Sequence, residues 1–433
     1  MDARAPVGRE RPGDRRALQS VSVQFFANGV VYASFIPELP EIRDRVGISI
    51  GGLGLVLTLA SISGLIGSLL TGRVIARFGT RNVVIVGTVL SVGSLPIVGF
   101  ATTPAMLVVG LVGLLFFDVF IDVAMNVQGS ELSARRRVPV MNRLHGLWSL
   151  GTVSGGIVTV LVNRADVSVQ VHLAVVAVAL LAVAMFVVPG LLRTDEPHHP
   201  ETVESGEPVA VPVGAMPVGE GLHGSEVMAT AEVERAIRRR RFGPAAIVLG
   251  LGGATAMILE VGNGDWAAFR LSVDFDSSDG VASAAFLLMT IGMTVGRLGG
   301  DWVQVRVGSM QLRRLGVSIA GFGSILATLV PVEAVSLLGF LVAGLGTSVL
   351  FPQLYDQAAR LPGPPGSGFA AMLIGQRSTG IVVPIVIGSL ANTAQFSVGQ
   401  AMAVVLIPAA IVGLAITYVR LPPPPSPQRV AAD

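Results

Sequence analysis

The sequence predicts an all-α integral membrane protein in which twelve transmembrane helices form two pseudo-symmetric six-helix bundles. Three observations lead to this fold class: the composition, the number of apolar segments and an internal repeat. Hydrophobic residues make up 52% of the 433 residues and charged residues only 13%, against roughly 25% charged residues in soluble domains. Together with a mean hydropathy of +0.71, this composition excludes a soluble enzyme.

The apolar segments have the length of membrane spans. A helix needs roughly 20 residues to cross about 30 Å of hydrocarbon. Twelve such segments, numbered here as spans 1 to 12, lie at 20–40, 50–71, 82–100, 106–127, 143–163, 171–191, 244–262, 281–300, 314–331, 334–355, 370–391 and 397–419.

The internal repeat relates the two halves of the chain. A shift of 229 residues superimposes residues of the first half on identical residues of the second: Gly51, Gly67, Arg77 and Gly79 on Gly280, Gly296, Arg306 and Gly308, and Gly146, Ser149 and Gly151 on Gly375, Ser378 and Gly380. An apolar chain duplicated as two parallel halves is typical of secondary transporters that alternate access.

The repeat divides the chain into five regions. We predict a cytoplasmic tail at 1–18, bundles at 19–192 and 243–420, a cytoplasmic linker at 193–242 and a second tail at 421–433. The linker is polar and is expected to be disordered. Its arginine run at 238–241 either lies on anionic headgroups or follows the positive-inside rule before span 7.

Loop charge predicts the orientation. With residue 1 inside the cell, nine loop arginines lie inside and four lie outside, as the positive-inside rule requires. Both termini are then cytoplasmic, and the protein is expected to be a multi-pass protein of the cytoplasmic membrane. We call the predicted periplasmic side the outer end and the predicted cytoplasmic side the inner end.

Composition also limits the partners. The net charge is only +2, so the pI near 9.6 reflects arginines beside the membrane and not a nucleic-acid surface. The chain has no cysteine, which excludes disulfides and thiolate metal sites. We expect a monomer in the lipid bilayer that binds a small-molecule substrate and protons, with no cofactor and no metal.

The loop after span 2 carries a family resemblance. Residues 72–81, GRVIARFGTR, resemble the signature of the major facilitator superfamily, which has Gly, three residues, Asp, Arg, any residue, Gly and two basic residues. Ala76 replaces the usual Asp and Thr80 a usual basic residue, but the motif recurs after span 8 at 301–308. The resemblance implies the two-bundle fold of that superfamily and a transport function.

Four further segments resemble a narrower branch of the superfamily. Residues 25–29, 122–126, 141–151 and 263–268 look like a poorly characterised bacterial inner-membrane branch related to the fucose–proton symporter group. That group is similar in placing a carboxylate on its fourth helix. Asn28 stands where the group has a carboxylate on its first helix.

Span 4 carries the predicted proton-coupling residues. Asp118, Asp122 and Asn126 recur every four residues and therefore share one helix face, which should look inward because polar side chains are costly in lipid. Asp118 is the deepest of them and can serve as the proton carrier or as a structural acceptor. Asp122 and His145 complete this set. Asp122 can also be a structural or gating residue. His145 lies at a similar depth in span 5 and can also be structural.

The remaining candidates are predicted to bind substrate. In the N-terminal half these are Gln24, Asn28 and Tyr32, spaced four apart on span 1, and Trp148 on span 5. The span 1 stripe suits hydroxyl or amide groups of a ligand, or hydrogen bonds between helices.

In the C-terminal half the candidates are Glu260, Trp266, Gln353 and Arg377. Trp266 can stack on a ring or belong to an interfacial aromatic belt. Arg377 can bind an anionic group or pair with Asp356 or Glu260. In the repeat with a shift of 229, Arg377 is the residue that corresponds to Trp148.

These observations predict a secondary active transporter that moves a small organic solute by alternating access, coupled to protons. Hydrogen-bonding candidates favour uptake of a sugar-like or polar solute. Two alternatives stay open: proton-antiport efflux of drugs or metabolites, and a membrane receptor with a transporter fold that does not transport. No catalytic residue is predicted, because no serine or metal-ligand cluster accompanies the inward histidine.

Overall fold

The computed structural model describes residues 12–136, 140–193, 243–359 and 367–419, and the regular structure in these ranges is helical. The predicted linker beyond residue 193 and the predicted C-terminal tail lie outside them, whereas residues 12–18 of the predicted N-terminal tail belong to the first helix. The long helices are Pro12–Phe35, Ile50–Gly99, Pro104–Arg136, Met141–Arg164, Val169–Val187, Pro244–Gly264, Asp279–Val307, Ser309–Leu329, Glu333–Thr347, Ser367–Ala391 and Val398–Ile416. Short helices are Ile36–Glu38, Leu39–Val46, Val188–Gly190, Ala267–Phe269, Arg270–Asp274 and Leu350–Ala359.

Ten of the described helices are long and apolar enough to cross a membrane. One of them, Ile50–Gly99, consists of two helices that meet at a kink at Gly79, and these correspond to span 2 and span 3. The helix Pro12–Phe35 covers most of span 1 but carries Gln24, Asn28 and other polar residues, which make it less apolar than the ten. The fold therefore has the twelve predicted crossings, all of them helical.

Several predicted boundaries were wrong. Span 1 begins and ends several residues earlier than expected, and span 4 extends as a helix to Arg136. The predicted span 10 is broken after Thr347 and resumes at Leu350. Polar inner ends continue the helices beyond the apolar segments, so hydropathy alone underestimates their length.

Two glycines turn the chain at the same place in each half. Gly79 has φ 75° and ψ 153° between spans 2 and 3, and Gly308 has φ 82° and ψ 156° between spans 8 and 9. A side chain disfavours this backbone region, which explains why the signature-like loop requires glycine there. The matching geometry confirms the repeat at a shift of 229.

Helix contacts confirm the same shift for spans 2, 3 and 4. Gly67 packs on the carbonyl of Phe116, and Gly296 packs on that of Leu345 in the second half. Likewise, Gly110 approaches Val98 and Gly339 approaches Ala327. Each contact in the first half falls on its counterpart when 229 is added.

Spans 1 and 5 follow a different shift. Gly151 packs on the carbonyl of Phe26, and the equivalent contact of the second half is Gly375 on Gly250. This corresponds to a shift of 224, so the predicted match between Trp148 and Arg377 is wrong. The connections between spans 1 and 2 and between spans 4 and 5 differ in length between the halves, and these differences displace the register of both helices.

The two halves meet mainly toward the outer end. The amide of Asn163 donates to the hydroxyl of Ser283 at 2.7 Å, and Thr58 donates to the carbonyl of Ile381 at 3.1 Å. Gly54 packs against the backbone of Pro384 and Gly388. At the inner end, Gly72, Gly146 and Gly299 have open space beside them.

Candidate functional site

Three predicted residues form one hydrogen-bonded chain in the N-terminal bundle. The Asn28 amide nitrogen donates to Asp118 Oδ1 at 2.6 Å, and the indole nitrogen of Trp148 donates to Asn28 Oδ1 at 2.9 Å. Spans 1, 4 and 5 supply one residue each. The two contacts fix which end of the Asn28 amide faces the carboxylate, because only the nitrogen can donate.

A narrow crevice continues from this chain between spans 1, 3, 4 and 6. Gln24, Asn28, Thr88, Asp118, Leu180 and Val183 are among the residues that line it. The Gln24 amide donates to the Thr88 hydroxyl at 3.1 Å, so Gln24 is held by a neighbouring helix within its own bundle. For Gln24, the structure therefore shows hydrogen bonding between helices.

Tyr32 bridges the two halves above this chain. Its hydroxyl donates to Asp265 Oδ1 at 2.8 Å. Asp265 is the first residue after the helix Pro244–Gly264, so it lies just beyond span 7. Burial raises its pKa to about 7; the hydrogen bond from Tyr32 opposes this rise and the nearby Glu260 carboxylate adds to it.

Glu260 lies one turn before Asp265 on the same helix and has an unsatisfied oxygen. Its Oε2 is buried and has no hydrogen-bond partner among the described residues. The cation that acts on its charge is Arg297 of span 8, and Arg297 also donates to Ser149 of the first half at 3.1 Å. A buried carboxylate oxygen without a donor is a place where a ligand hydroxyl, an ammonium group or a proton would be stabilised.

Arg377 acts on a carboxylate of the opposite half. Its charge attracts that of Asp118, whereas Glu260 has Arg297 as its cation. The predicted pairing of Arg377 with Glu260 is therefore wrong, because the register of span 11 directs Arg377 toward span 4. The side chain of Asp356, the other predicted partner, lies outside the described residues.

Arg297 and Asp265 were not among the predicted site residues. A signal for Arg297 was present, because an arginine inside an apolar span is costly and is retained mainly where it faces protein or water. The shift of 229 also sets Arg297 against Ser68, which is a clear break in the repeat. Asp265 was less visible because it lies at the end of an apolar segment, where charge is common.

Two predicted residues lie away from this cluster. Trp266 has no exposed surface and packs in the apolar core beside Phe269, with ring centroids 5.4 Å apart. It follows the end of span 7 and turns into the bundle, so its ring lies in the core and not at the surface. Gln353 is buried and donates to Gln304 Oε1 at 2.8 Å near the inner end, which ties span 10 to the end of span 8.

The other proton-coupling candidates lie toward the inner end. Asp122 accepts a hydrogen bond from the Asn126 amide at 3.1 Å. The His145 ring lies edge-on to Phe25, with centroids 5.2 Å apart. A proton path through Asp122 and His145 stays a prediction.

Two helical halves that share a cluster of opposite charges at their contact define a class of protein, the multi-pass membrane transporters. Asp118, Glu260 and Asp265 provide the acidic groups of this cluster, and Arg297 and Arg377 the basic ones. The chain belongs to the Major Facilitator Superfamily, whose family profile matches residues 21–384. It is a transporter and not an enzyme.

Relatives and solved structures agree with this assignment. An uncharacterised MFS-type transporter of Yersinia pestis is 25% identical over 402 residues, with 92% of this chain and 95% of the relative covered. The membrane protein MosC of Rhizobium meliloti is also 25% identical, with coverages of 83% and 80%.

A mutant of the nucleoside transporter NupG superimposes with a TM-score of 0.67 at 12% identity, covering 93% of this chain and 98% of that one. At this identity the likeness shows the fold alone. The narrower resemblance to the fucose–proton symporter group stays a prediction.

Proposed function

We propose that this protein is a proton-coupled secondary transporter that takes up a small polar organic solute, sugar-like in its hydrogen-bonding groups. The observation that carries the proposal is the chain from Trp148 through Asn28 to Asp118, with Arg377 of the other half acting on the same carboxylate. In this arrangement, hydrogen-bonding groups adjoin a carboxylate whose charge interacts with residues of both halves.

The site chemistry favours a hydroxylated or amine-bearing solute. Asn28 and Trp148 supply an amide and an indole, which recognise hydroxyl groups by hydrogen bonds and ring faces by contact. Glu260 Oε2 lacks a donor, and a hydroxyl or ammonium group of the solute would provide one. An apolar cargo would leave the Glu260 oxygen unsatisfied, at a cost of about 1–3 kcal/mol.

The proton is proposed to bind at Asp118. A buried charge is stabilised only when its partners are in place, and two of the partners of Asp118 lie on different helices: Asn28 on span 1 and Arg377 on span 11. Movement of one half relative to the other changes the distance to Arg377. The carboxylate then gains or loses a proton as the halves move, which links the proton gradient to the transport cycle. Asp122 and His145 would carry the proton onward toward the inner end.

The contacts between the halves support an inward-facing state. Hydrogen bonds from Tyr32, Thr58 and Asn163 close the outer end. We propose that the protein is monomeric and that both termini are cytoplasmic. In this orientation the inner end faces the cytoplasm, so the next step of the cycle is release of the solute to the cytoplasm.

Reconstitution tests this function. Purified protein in liposomes is screened against a library of polyols, sugars, amino sugars and nucleosides under an imposed pH gradient. We expect one or more solutes to accumulate on the side toward which protons flow, because a symporter moves solute and proton together. Movement against the proton flow would instead establish antiport, and no movement across the library would exclude a coupled carrier.

The matched variants are Asp118→Asn and Asp44→Asn. Asn at 118 keeps a hydrogen-bonding group but cannot carry a proton, so we expect loss of gradient-driven accumulation, with solute exchange retained. Asp44 is largely exposed at the outer end beside Arg43, so its replacement is expected to leave accumulation unchanged. Full accumulation by Asp118→Asn would place the proton site elsewhere.

A further inference from the structure

The inner end of the C-terminal bundle has a crevice that the proposed transport site does not use. It lies where spans 7, 9, 10 and 12 converge, and apolar side chains such as Val317, Leu354 and Ile416 line it. Arg313, near the start of the span 9 helix, lines it as well. A positive charge is therefore placed in a largely apolar crevice.

Arg313 is buried without a counter-ion. The residue is 5% exposed, and its guanidinium donates to two neutral groups, the side-chain oxygen of Gln357 and the sulfur of Met310. Its Nε has no hydrogen-bond partner among the described residues. The charge that acts on it is that of Arg314, which has the same sign. Because a buried charge is costly unless an opposite charge pairs with it, this site would be stabilised by an anion.

Arg314 brings a second positive charge to the same place. Its guanidinium lies 4.0 Å from the centre of the Tyr418 ring, and its Nη2 donates to the Thr417 carbonyl at 3.5 Å. Thr417 also lines the crevice, so both arginines lie beside the end of span 12. The Nε of Arg314 is likewise buried without a partner in the described part of the chain. Neither arginine forms an ion pair with a described residue.

The internal repeat shows that packing alone does not require these charges. With the shift of 229 that relates spans 3 and 9, Arg313 and Arg314 correspond to Val84 and Ile85, and Val84 is 1% exposed. A buried valine of the first half is thus matched by a buried arginine in the second. The span 9 helix has no acidic residue in its first turn, so the positive end of the helix dipole adds to the two arginines.

We propose that this crevice binds the phosphate group of an anionic phospholipid, with Arg313 and Arg314 as the donors and the apolar lining against the glycerol and the adjoining acyl chain. Guanidinium groups bind phosphate oxygens through paired, charge-assisted hydrogen bonds. Basic pockets between membrane helices at the cytoplasmic side are typical sites for anionic headgroups.

The surface around the crevice fits a lipid better than a soluble phosphate ester. Large apolar or aromatic side chains are exposed beside the two arginines: Leu315 at 44%, Tyr418 at 63% and Val419 at 44%. Acyl chains would cover such a surface, whereas a soluble ester would not. A lipid bound here would contact spans 9, 10 and 12 together, and it would stabilise the folded bundle by mass action.

Lipid titration of the purified full-length protein in detergent tests the site. The unfolding temperature is measured against the concentration of dioctanoyl phosphatidylglycerol, and its dependence gives an apparent Kd. Dioctanoyl phosphatidylcholine has the same chains and phosphate but no net charge. Glycerophosphoglycerol, the free headgroup, has the anion without the chains. We expect phosphatidylglycerol to bind roughly tenfold more tightly than phosphatidylcholine, and the free headgroup to bind more weakly than the intact lipid.

The variants separate the two arginines from general surface charge. Arg313→Met replaces the guanidinium by an apolar chain and should abolish the preference for phosphatidylglycerol, while the lipid-free protein is as stable as the parent or more stable. Arg314→Gln should reduce the preference. Arg77→Gln is the control, because Arg77 is an exposed arginine at the inner end of the other half, and it should keep the preference.

Each variant is compared with its own lipid-free unfolding temperature, so a change in basal stability does not imitate a loss of binding. If Arg313→Met does not fold, Arg314→Gln makes the same test, because Arg314 is only partly buried.

Four results would overturn the proposal. They are equal apparent Kd values for the two lipids in the parent, a preference that Arg313→Met and Arg314→Gln both retain, an equal loss in Arg77→Gln, and binding of the free headgroup as tight as that of the intact lipid. The last result would assign the site to a soluble phosphate ester. The assay measures no transport, so its outcome is independent of the proposed function.

Discussion

Asn28 is the residue through which the N-terminal part of the site is organised. Its amide nitrogen faces Asp118 and its amide oxygen faces Trp148, so one side chain satisfies a carboxylate and an indole together. An aspartate at this position would set two carboxylates against each other. An amide on span 1 therefore leaves Asp118 as the carboxylate of this chain.

Replacement of Trp148 by Phe removes the indole donor and keeps an aromatic ring. We expect a loss of about 1 kcal/mol in substrate binding, or roughly fivefold in KM, with little change in the maximal rate. The measurement is transport kinetics with a solute found in the library screen. Trp302→Phe is the control, because Trp302 is 63% exposed and lies beyond span 8; an equal effect in both would contradict the assignment of Trp148.

Individual site residues could be predicted from the free energy that a charge costs inside the membrane. Asp118, Glu260 and Arg377 could be predicted because charge inside an apolar segment needs compensation. Their pairing could not, since it depends on how far each helix is rotated and displaced. Trp266 shows the same limit: its position at a span end fits lipid contact and cavity contact equally, but the turn that follows directs it into the core.

The pairs of helices within a bundle depend on small residues at their contacts. On spans 1 and 5, Gly29 lies against the carbonyl of Trp148 and Gly151 against that of Phe26. Close approach of two backbones is a usual source of helix association in membranes. The same contacts hold Trp148 level with Asn28, so packing and site geometry have one origin here.

Gly151→Ala is expected to destabilise the N-terminal bundle by about 1–3 kcal/mol, because the new methyl group meets the Phe26 carbonyl. Thermal unfolding of the detergent-solubilised protein measures the change. Gly146→Ala on the same helix has open space beside it and should be neutral or slightly stabilising, since alanine favours helix more than glycine does. Equal destabilisation by both substitutions would mean that packing on Phe26 is not the cause.

Helix number could be predicted from hydropathy, but helix ends could not. The helices of spans 2 and 3 meet at Gly79, whose backbone is not helical, and regular helix reaches this residue from both sides. Hydropathy falls at the arginines of this loop before either helix has ended. Polarity marks the membrane surface and not the end of a helix.

The two halves contact each other mainly at the outer end, and the Arg297–Ser149 hydrogen bond joins them farther in. Contacts at the outer end involve span 1 with span 7, span 5 with span 8 and span 2 with span 11. The charged groups of the candidate site lie below them, between the halves. Alternating access requires these contacts to be temporary.

A disulfide between Asn163→Cys and Ser283→Cys should lock the outer end closed. The two side chains are in contact at 2.7 Å, and there is no other cysteine to react. We expect oxidation to stop transport in the double variant and reduction to restore it, whereas oxidant should not affect the parent chain. Unchanged transport in the fully cross-linked protein would show that this end need not open.

The two registers of the repeat show what was preserved after the halves diverged. Spans 2, 3 and 4 keep one spacing to their counterparts, and spans 1 and 5 keep another, yet the glycine contacts inside each group are the same in both halves. Each bundle therefore consists of two structural units that tolerated length changes between them but not within them. Insertions for labels or reporters belong at the junctions between these units, where the chain has already accepted changes of five residues.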